Sequence, residues 1–119
     1  MRYMLLIHQG DAPTPRSPET WNRLSQEEQN AISAGYRAIA ETPGVTPGLW
    51  LGARETATTV RVRDGQTPTT DGPLVAVEGA PGGYLFFEAP DLAAAIQLAE
   101  RIPAARLGGA VEVRPVVEA

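Results

Sequence analysis

Tyr3-Met4-Leu5-Leu6-Ile7-His8 and Tyr84-Leu85-Phe86-Phe87-Glu88 decide how this chain folds. Successive side chains of a strand point to opposite faces of its sheet. Each of these stretches is therefore apolar on both faces, the pattern of a strand with neighbours on either side. The other strand candidates alternate. In Glu55 to Arg63, Val60 and Val62 oppose Arg61 and Arg63; in Val111 to Val116, Val111 and Val113 oppose Glu112 and Arg114. Alternation of that kind suits edge strands with one face in water.

Helix signals lie between these segments. Ser17-Pro18-Glu19 reads as an N-cap with Pro at the first helical position, opening a short turn. Ser25-Gln26-Glu27-Glu28 is a capping box, and a helix is expected from it to about Glu41, with Ile32, Tyr36 and Ile39 as its buried stripe. Thr42-Pro43-Gly44 ends it, and Val45 to Ala53 reads as irregular, anchored by Trp50. Asp64-Gly65 marks a hairpin turn that returns through Gln66 to Thr70, and Asp71-Gly72-Pro73 marks another turn. Asp91 caps a second helix over Leu92 to Arg101, with Leu92, Ile96 and Ala99 inward and Pro103 closing it.

The order is strand, helix, strand hairpin, strand, helix, strand. With the extra hairpin strand set aside, this is the split βαβ or ferredoxin-like α+β pattern, in one domain over residues 1–119. It puts the first and third main strands in the centre, the two that are apolar on both faces. Both helices of such a fold cover one face. The other face then keeps large apolar side chains, each forgoing about 1.5–3 kcal/mol while exposed. A second copy packed sheet to sheet under two-fold symmetry removes that cost. The competing solution folds the long middle loops over the face.

Area scaling gives about 6,200 Å² for a folded chain of this mass against about 18,000 Å² extended, enough for a real core. No apolar run approaches a membrane span, and the opening MRYMLLIHQG reads as a first strand rather than a signal peptide, so a cytoplasmic location is expected. A net charge of −4 argues against nucleic acid as a partner. The chain has no Cys and no Lys, and His8 is its single histidine. Thiolate and Schiff-base chemistry, and a three-histidine metal site within one chain, are thereby excluded. None of Ser17, Ser25 and Ser33 sits in a nucleophile elbow. Any chemistry falls to His8, carboxylates, Arg, Tyr or Thr, which points to acid–base work without a bound cofactor.

Thr56 to Gly65, then Thr70-Asp71-Gly72-Pro73-Leu74, then Gly82-Gly83-Tyr84, resemble the YCII-related proteins of the DGPF type. So do the opening Tyr3 to Ile7 and the closing Gly109 to Val116, and the matches run in order over nearly the whole chain. The resemblance implies a dimeric α/β barrel. It implies little about activity, since members are mostly uncharacterised, although some occur with extracytoplasmic-function sigma factors. Related barrels include lactone isomerases and monooxygenases, an analogy of fold alone. The sequence departs from the pattern in several places. Leu74 stands where the motif has Phe, and Ala76, Glu78 and Gly79 replace a carboxylate-Lys-carboxylate run. His8 ends a first strand that often ends in Tyr, and the helix lacks the histidine that pairs with an Asp in the wider group.

His8, at the end of a central strand where a barrel would open, suits a general base, with Asp71 to orient it. The plain alternatives are a hydrogen-bonded strand-end histidine and an Asx-turn aspartate. Arg61, with Arg63 beside it, can clamp an anion or simply keep an edge strand solvated. Glu88 shares a face with Tyr84 and Phe86 and reads as a cavity acid or a rim residue, and Glu78 is a further candidate acid. Trp50 and Tyr84 line a pocket or pack in a core. The leading expectation is a homodimer with a small-molecule site. The alternatives are an accessory or sensor protein beside a sigma factor, and a plain ligand-binding module.

Overall fold

The computed structural model describes residues 1–52, 54–72 and 81–117. Its elements in chain order are β1 (Arg2–His8), α1 (Pro18–Trp21), α2 (Gln26–Ala40), β2 (Val45–Trp50), a 3₁₀ turn (Arg54–Thr56), β3 (Thr58–Val60), β4 (Thr69–Asp71), β5 (Gly83–Glu88), α3 (Leu92–Glu100), α4 (Pro103–Arg106) and β6 (Ala110–Pro115). Four strands form an antiparallel sheet in the order β2-β5-β1-β6. The two-faced stretches are its central pair, in register from Arg2 opposite Glu88 to Ile7 opposite Gly83. The fold is α+β, and its strand order is that of the split βαβ pattern.

The alternation of β1 sorts cleanly into two layers. Tyr3, Leu5 and Ile7 are buried, and with Leu85 they meet Ile39 of α2, Ala95 and Leu98 of α3, and Ile102 and Ala104 around α4. Met4, Leu6 and His8 point the other way and stay partly exposed. The capping box forms: the Glu28 N–H donates to Ser25 Oγ at 3.1 Å and the Ser25 N–H to Glu28 Oε1 at 3.0 Å. Asp91 caps α3 through the Ala94 N–H at 2.9 Å. Ser17 precedes Pro18 without lending its side chain as a cap.

Four expectations are corrected. Val45 to Trp50 is the second main strand rather than an irregular segment. Pro47 and Gly48 read as breakers in sequence, but β2 is an edge strand with a register shift after Pro47, where a missing ladder donor is tolerated. Gly48 is needed there, because a Cβ would strike the carbonyl and ring of Tyr84. The Glu55 to Arg63 segment, shortened to β3, pairs with β4 in a separate two-stranded ribbon. Its turn is as expected: Asp64 and Gly65 both have positive φ, 51° and 75°, as a type I′ turn demands. In α3, Leu92 and Ile96 face outward, half exposed, while Ala95, Leu98 and Ala99 are buried. The apolar residues run almost all round this helix, so its phase is set by the fully buried Ile102 beyond its end. Pro103 opens α4 rather than simply closing α3.

Candidate functional site

The sheet face away from the helices carries Met4 and Leu6 of β1 opposite Phe86 and Tyr84 of β5. The Tyr84 and Phe86 rings meet edge to face at 6.1 Å. Charges frame this apolar centre. Arg2 Nε donates to Glu88 Oε1 at 3.0 Å, because the register sets the two residues directly opposite. His8 Nε2 lies 3.3 Å from Glu112 Oε1 on the neighbouring strand, and Arg114 Nε lies 4.0 Å from Glu112 Oε2. The His8 side chain is 18% exposed and that of Glu112 is 51% exposed, so the imidazole is sheltered and its carboxylate is wet. In the tautomer that protonates Nε2, the ring donates to the carboxylate, which fixes the orientation of the imidazole.

A second site lies where β1 ends and the chain turns into the Pro-rich loop. A cleft of about 120 Å³ opens between Gln9, Thr14, Arg16, Glu55 and Gly82. Trp50 stands behind Arg16, outside the cleft lining. The indole rests on Gly83, where no Cβ fits, meets the Tyr36 ring edge to face at 5.0 Å, and carries the Arg16 guanidinium 4.1 Å above it. Burial pushes the Arg16 pKa down from its usual value, opposed by the charge interaction with Tyr36. Burial likewise pushes the Tyr36 hydroxyl up, with the nearby Gln9 side chain and Ala104 backbone pulling the other way. Among the described residues no carboxylate forms an ion pair with Arg16. Both polar atoms of the Gln9 amide are buried, and the side chain engages the Tyr36 hydroxyl.

The expected site residues divide between these places. His8, Tyr84 and Glu88 share the open face. Trp50 stands beside the cleft, stacked under Arg16. Asp71 lies in the ribbon opposite Thr58, and among the described residues Glu112 is a carboxylate within reach of His8. Arg61 and Arg63 are exposed on the ribbon, bonded through their backbone N–H groups to Pro68 and Gln66. Glu78, with Pro73, Leu74, Ala76 and Gly79 of the motif, lies outside the described residues. Sequence reasoning passed over Gln9 and Arg16. The available signals were a glutamine prolonging a buried strand and an arginine alone among prolines.

Among the described residues no helix is long and apolar enough to cross a membrane. The family model of a YCII-related domain matches residues 1–119. No curated protein matches the sequence.

Proposed function

From the premise that the chain belongs to the YCII-related domain family, we propose that it is a cytoplasmic homodimer, joined through its open sheet face as a dimeric barrel, that holds a small molecule beside His8. The chemistry is a proton transfer of isomerase or lyase type that needs no cofactor. The observation carrying this reading is the sheltered imidazole held by Glu112 at 3.3 Å on the rim of an apolar face. Glu112, rather than Asp71, is the orienting carboxylate. Tyr84 and Phe86 supply the apolar wall, and Glu88 with Arg2 closes the far rim.

Two further observations support the dimer. The single chain exposes 7844 Å², about 1,600 Å² more than scaling gives for a compact monomer of its mass. A standard interface removes about 800 Å² from each partner. The face also carries equal numbers of opposite charges, Arg2 and Arg114 with Glu88 and Glu112, around an apolar centre, a balance that suits a two-fold contact.

Sedimentation at micromolar concentration tests the assembly: a dimer is expected, and Leu6→Glu should return it to monomer. Wild-type protein that sediments as a monomer refutes it. For the chemistry, α-angelica lactone is a suitable probe, since moving its double bond into conjugation needs one proton removed and one returned. Loss of His8 in His8→Gln should slow that step by about 10²-fold or more. Equal rates remove His8 as the base.

A second reading has its own support. Val60 and Val62, at the ribbon, are 56% and 70% exposed. An accessory or sensor protein beside a sigma factor would dock a partner there. Val62→Asp would then abolish partner capture and leave the lactone reaction unchanged.

A further inference from the structure

We propose that the outer edge of β6 is a self-pairing surface, which takes the β6 strand of a second copy of this chain in antiparallel register, Val113 opposite Val113. The contact is separate from the open sheet face and joins one face-to-face dimer to the next. Among the described residues β6 pairs with β1 alone, so it ends the sheet on that side. The opposite edge, β2, is broken by Pro47 and a register shift, whereas β6 runs without a break from Ala110 to Pro115.

The ladder fixes which backbone groups are left over. The Val116 N–H donates to the Arg2 carbonyl at 2.9 Å. Bonded and non-bonded pairs alternate along an antiparallel ladder. Arg114, Glu112 and Ala110, opposite Met4, Leu6 and His8, therefore turn their N–H and C=O groups toward β1. Val111, Val113 and Pro115 turn theirs outward. Pro115, which has no N–H, sits at an outward position, where it costs the ladder nothing.

Edge strands are commonly guarded by charge against pairing with another chain. Here the guard alternates in sign. Glu112 and Arg114 project on the open side of the sheet, 51% and 70% exposed, with Arg114 Nε 4.0 Å from Glu112 Oε2, too far for a hydrogen bond. A two-fold axis through Glu112 would set that residue against its own copy, and an axis through Arg114 would do the same with two cations; like charges directly opposite are destabilising. An axis through Val113 sets each Glu112 against the Arg114 of the second copy. The backbone closes in the same register. The two Val113 residues exchange their N–H and C=O groups, and each Val111 N–H meets the Pro115 carbonyl of the second copy. One register thus satisfies every outward donor of the strand and pairs every charge on it.

The helix side of the edge agrees. Val111 and Val113 line a hollow of about 220 Å³ with Ile96, Ala99, Ala105 and the stem of Glu100. Ile96 is 43% exposed there. A strand added beside β6 lays its own Val111 and Val113 next to this hollow and covers it.

The test sediments the full chain, as wild type and as Leu6→Glu, which lacks the face contact, from about 1 μM to about 1 mM. The edge contact is small and belongs to the upper end of that range. Leu6→Glu should pass there from monomer to dimer, and wild type from dimer to a larger assembly. Over the same range NMR hydrogen exchange of Leu6→Glu should slow by about threefold or more at the Val111 and Val113 N–H groups. The Glu112 and Arg114 N–H groups, already bonded to β1, should stay protected throughout. Arg114→Glu sets like charges opposite and should raise the concentration needed by about tenfold or more. Adding Glu112→Arg to it restores opposite signs and should recover the pairing. The exchange measurement changes no residue of β6, so it decides the matter even where an edge variant fails to fold. Four results overturn the proposal: Leu6→Glu still monomeric at about 1 mM, Val111 and Val113 exchange indifferent to concentration, undiminished association of Arg114→Glu, or no recovery in a folded double variant. Failure of the face contact reads differently, as wild-type protein that is monomeric at micromolar concentration while Val111 and Val113 still gain protection on concentrating.

Discussion

Leu5 has no exposed surface and sits where both helices meet the sheet. Leu5→Ala should cost about 2–5 kcal/mol, read from the urea midpoint at constant slope. Glu28 offers a milder test at the same scale. The backbone N–H of Ser25, aided by its hydroxyl, holds the Glu28 carboxyl below its usual range. A folded-state value below the unfolded one contributes stability above the unfolded pKa, and that contribution fades as pH falls through the folded value. An NMR titration of the Glu28 carboxyl should therefore show it ionising early, and Ser25→Ala should move it back toward the ordinary value. Tyr36 behaves in the opposite sense. Burial raises it, so its neutral form is favoured by folding, and stability declines as pH rises from the unfolded value, about 10, through the folded one. Ultraviolet difference titration should find one tyrosine ionising late, and Tyr36→Phe should remove that step.

Among the elements, the edge strand β2 and the ribbon show what single segments contribute. Gly83→Ala would put a Cβ into the Trp50 ring, so it should cost about 1–3 kcal/mol and alter the tryptophan fluorescence as the indole lifts from Arg16 and Tyr36. The ribbon of β3 and β4 stands outside the main sheet, and a lone hairpin is marginal in water. Its amide protons should exchange far faster than those of β1 and β5. The same contrast explains what could be read in advance. The central strands were legible because both of their faces are greasy, and α2 because its capping box is a local device. Strand β2 was not legible, since Pro47 and Gly48 disguise an edge strand whose partner is remote in sequence. Nor was the phase of α3, where nearly every position is apolar. The position of His8 at the end of a central strand was legible for the same reason as the strand itself. Its neighbour Glu112 depends on strand register, and the stacking of Arg16 on Trp50 on the course of a loop, which no local pattern carries.

As a whole molecule the chain is a thin slab, 51 × 41 × 18 Å, with a radius of gyration of 16.0 Å. A compact domain of this length would have about 13.5 Å. Dimerisation through the open face would double the thickness and make the particle more nearly isometric. Small-angle scattering should accordingly show a dimer whose radius of gyration grows less than its doubled mass would suggest for an end-to-end pair.

The two-faced character of β1 and β5 also bears on how the sheet finds its alignment. In an ordinary strand, a slip by one residue throws oily side chains into water and is punished at once. Here such a slip would exchange Leu5 and Ile7 for Met4 and Leu6, grease for grease, and oiliness alone would hardly object. Shape must supply the veto. The bare backbone of Gly83 under an indole, of Gly48 under a phenol and of Gly109 against the His8 and Gln9 carbonyls accepts only one alignment. Glycine notches, more than hydrophobic patterning, are the teeth by which this sheet keeps its place.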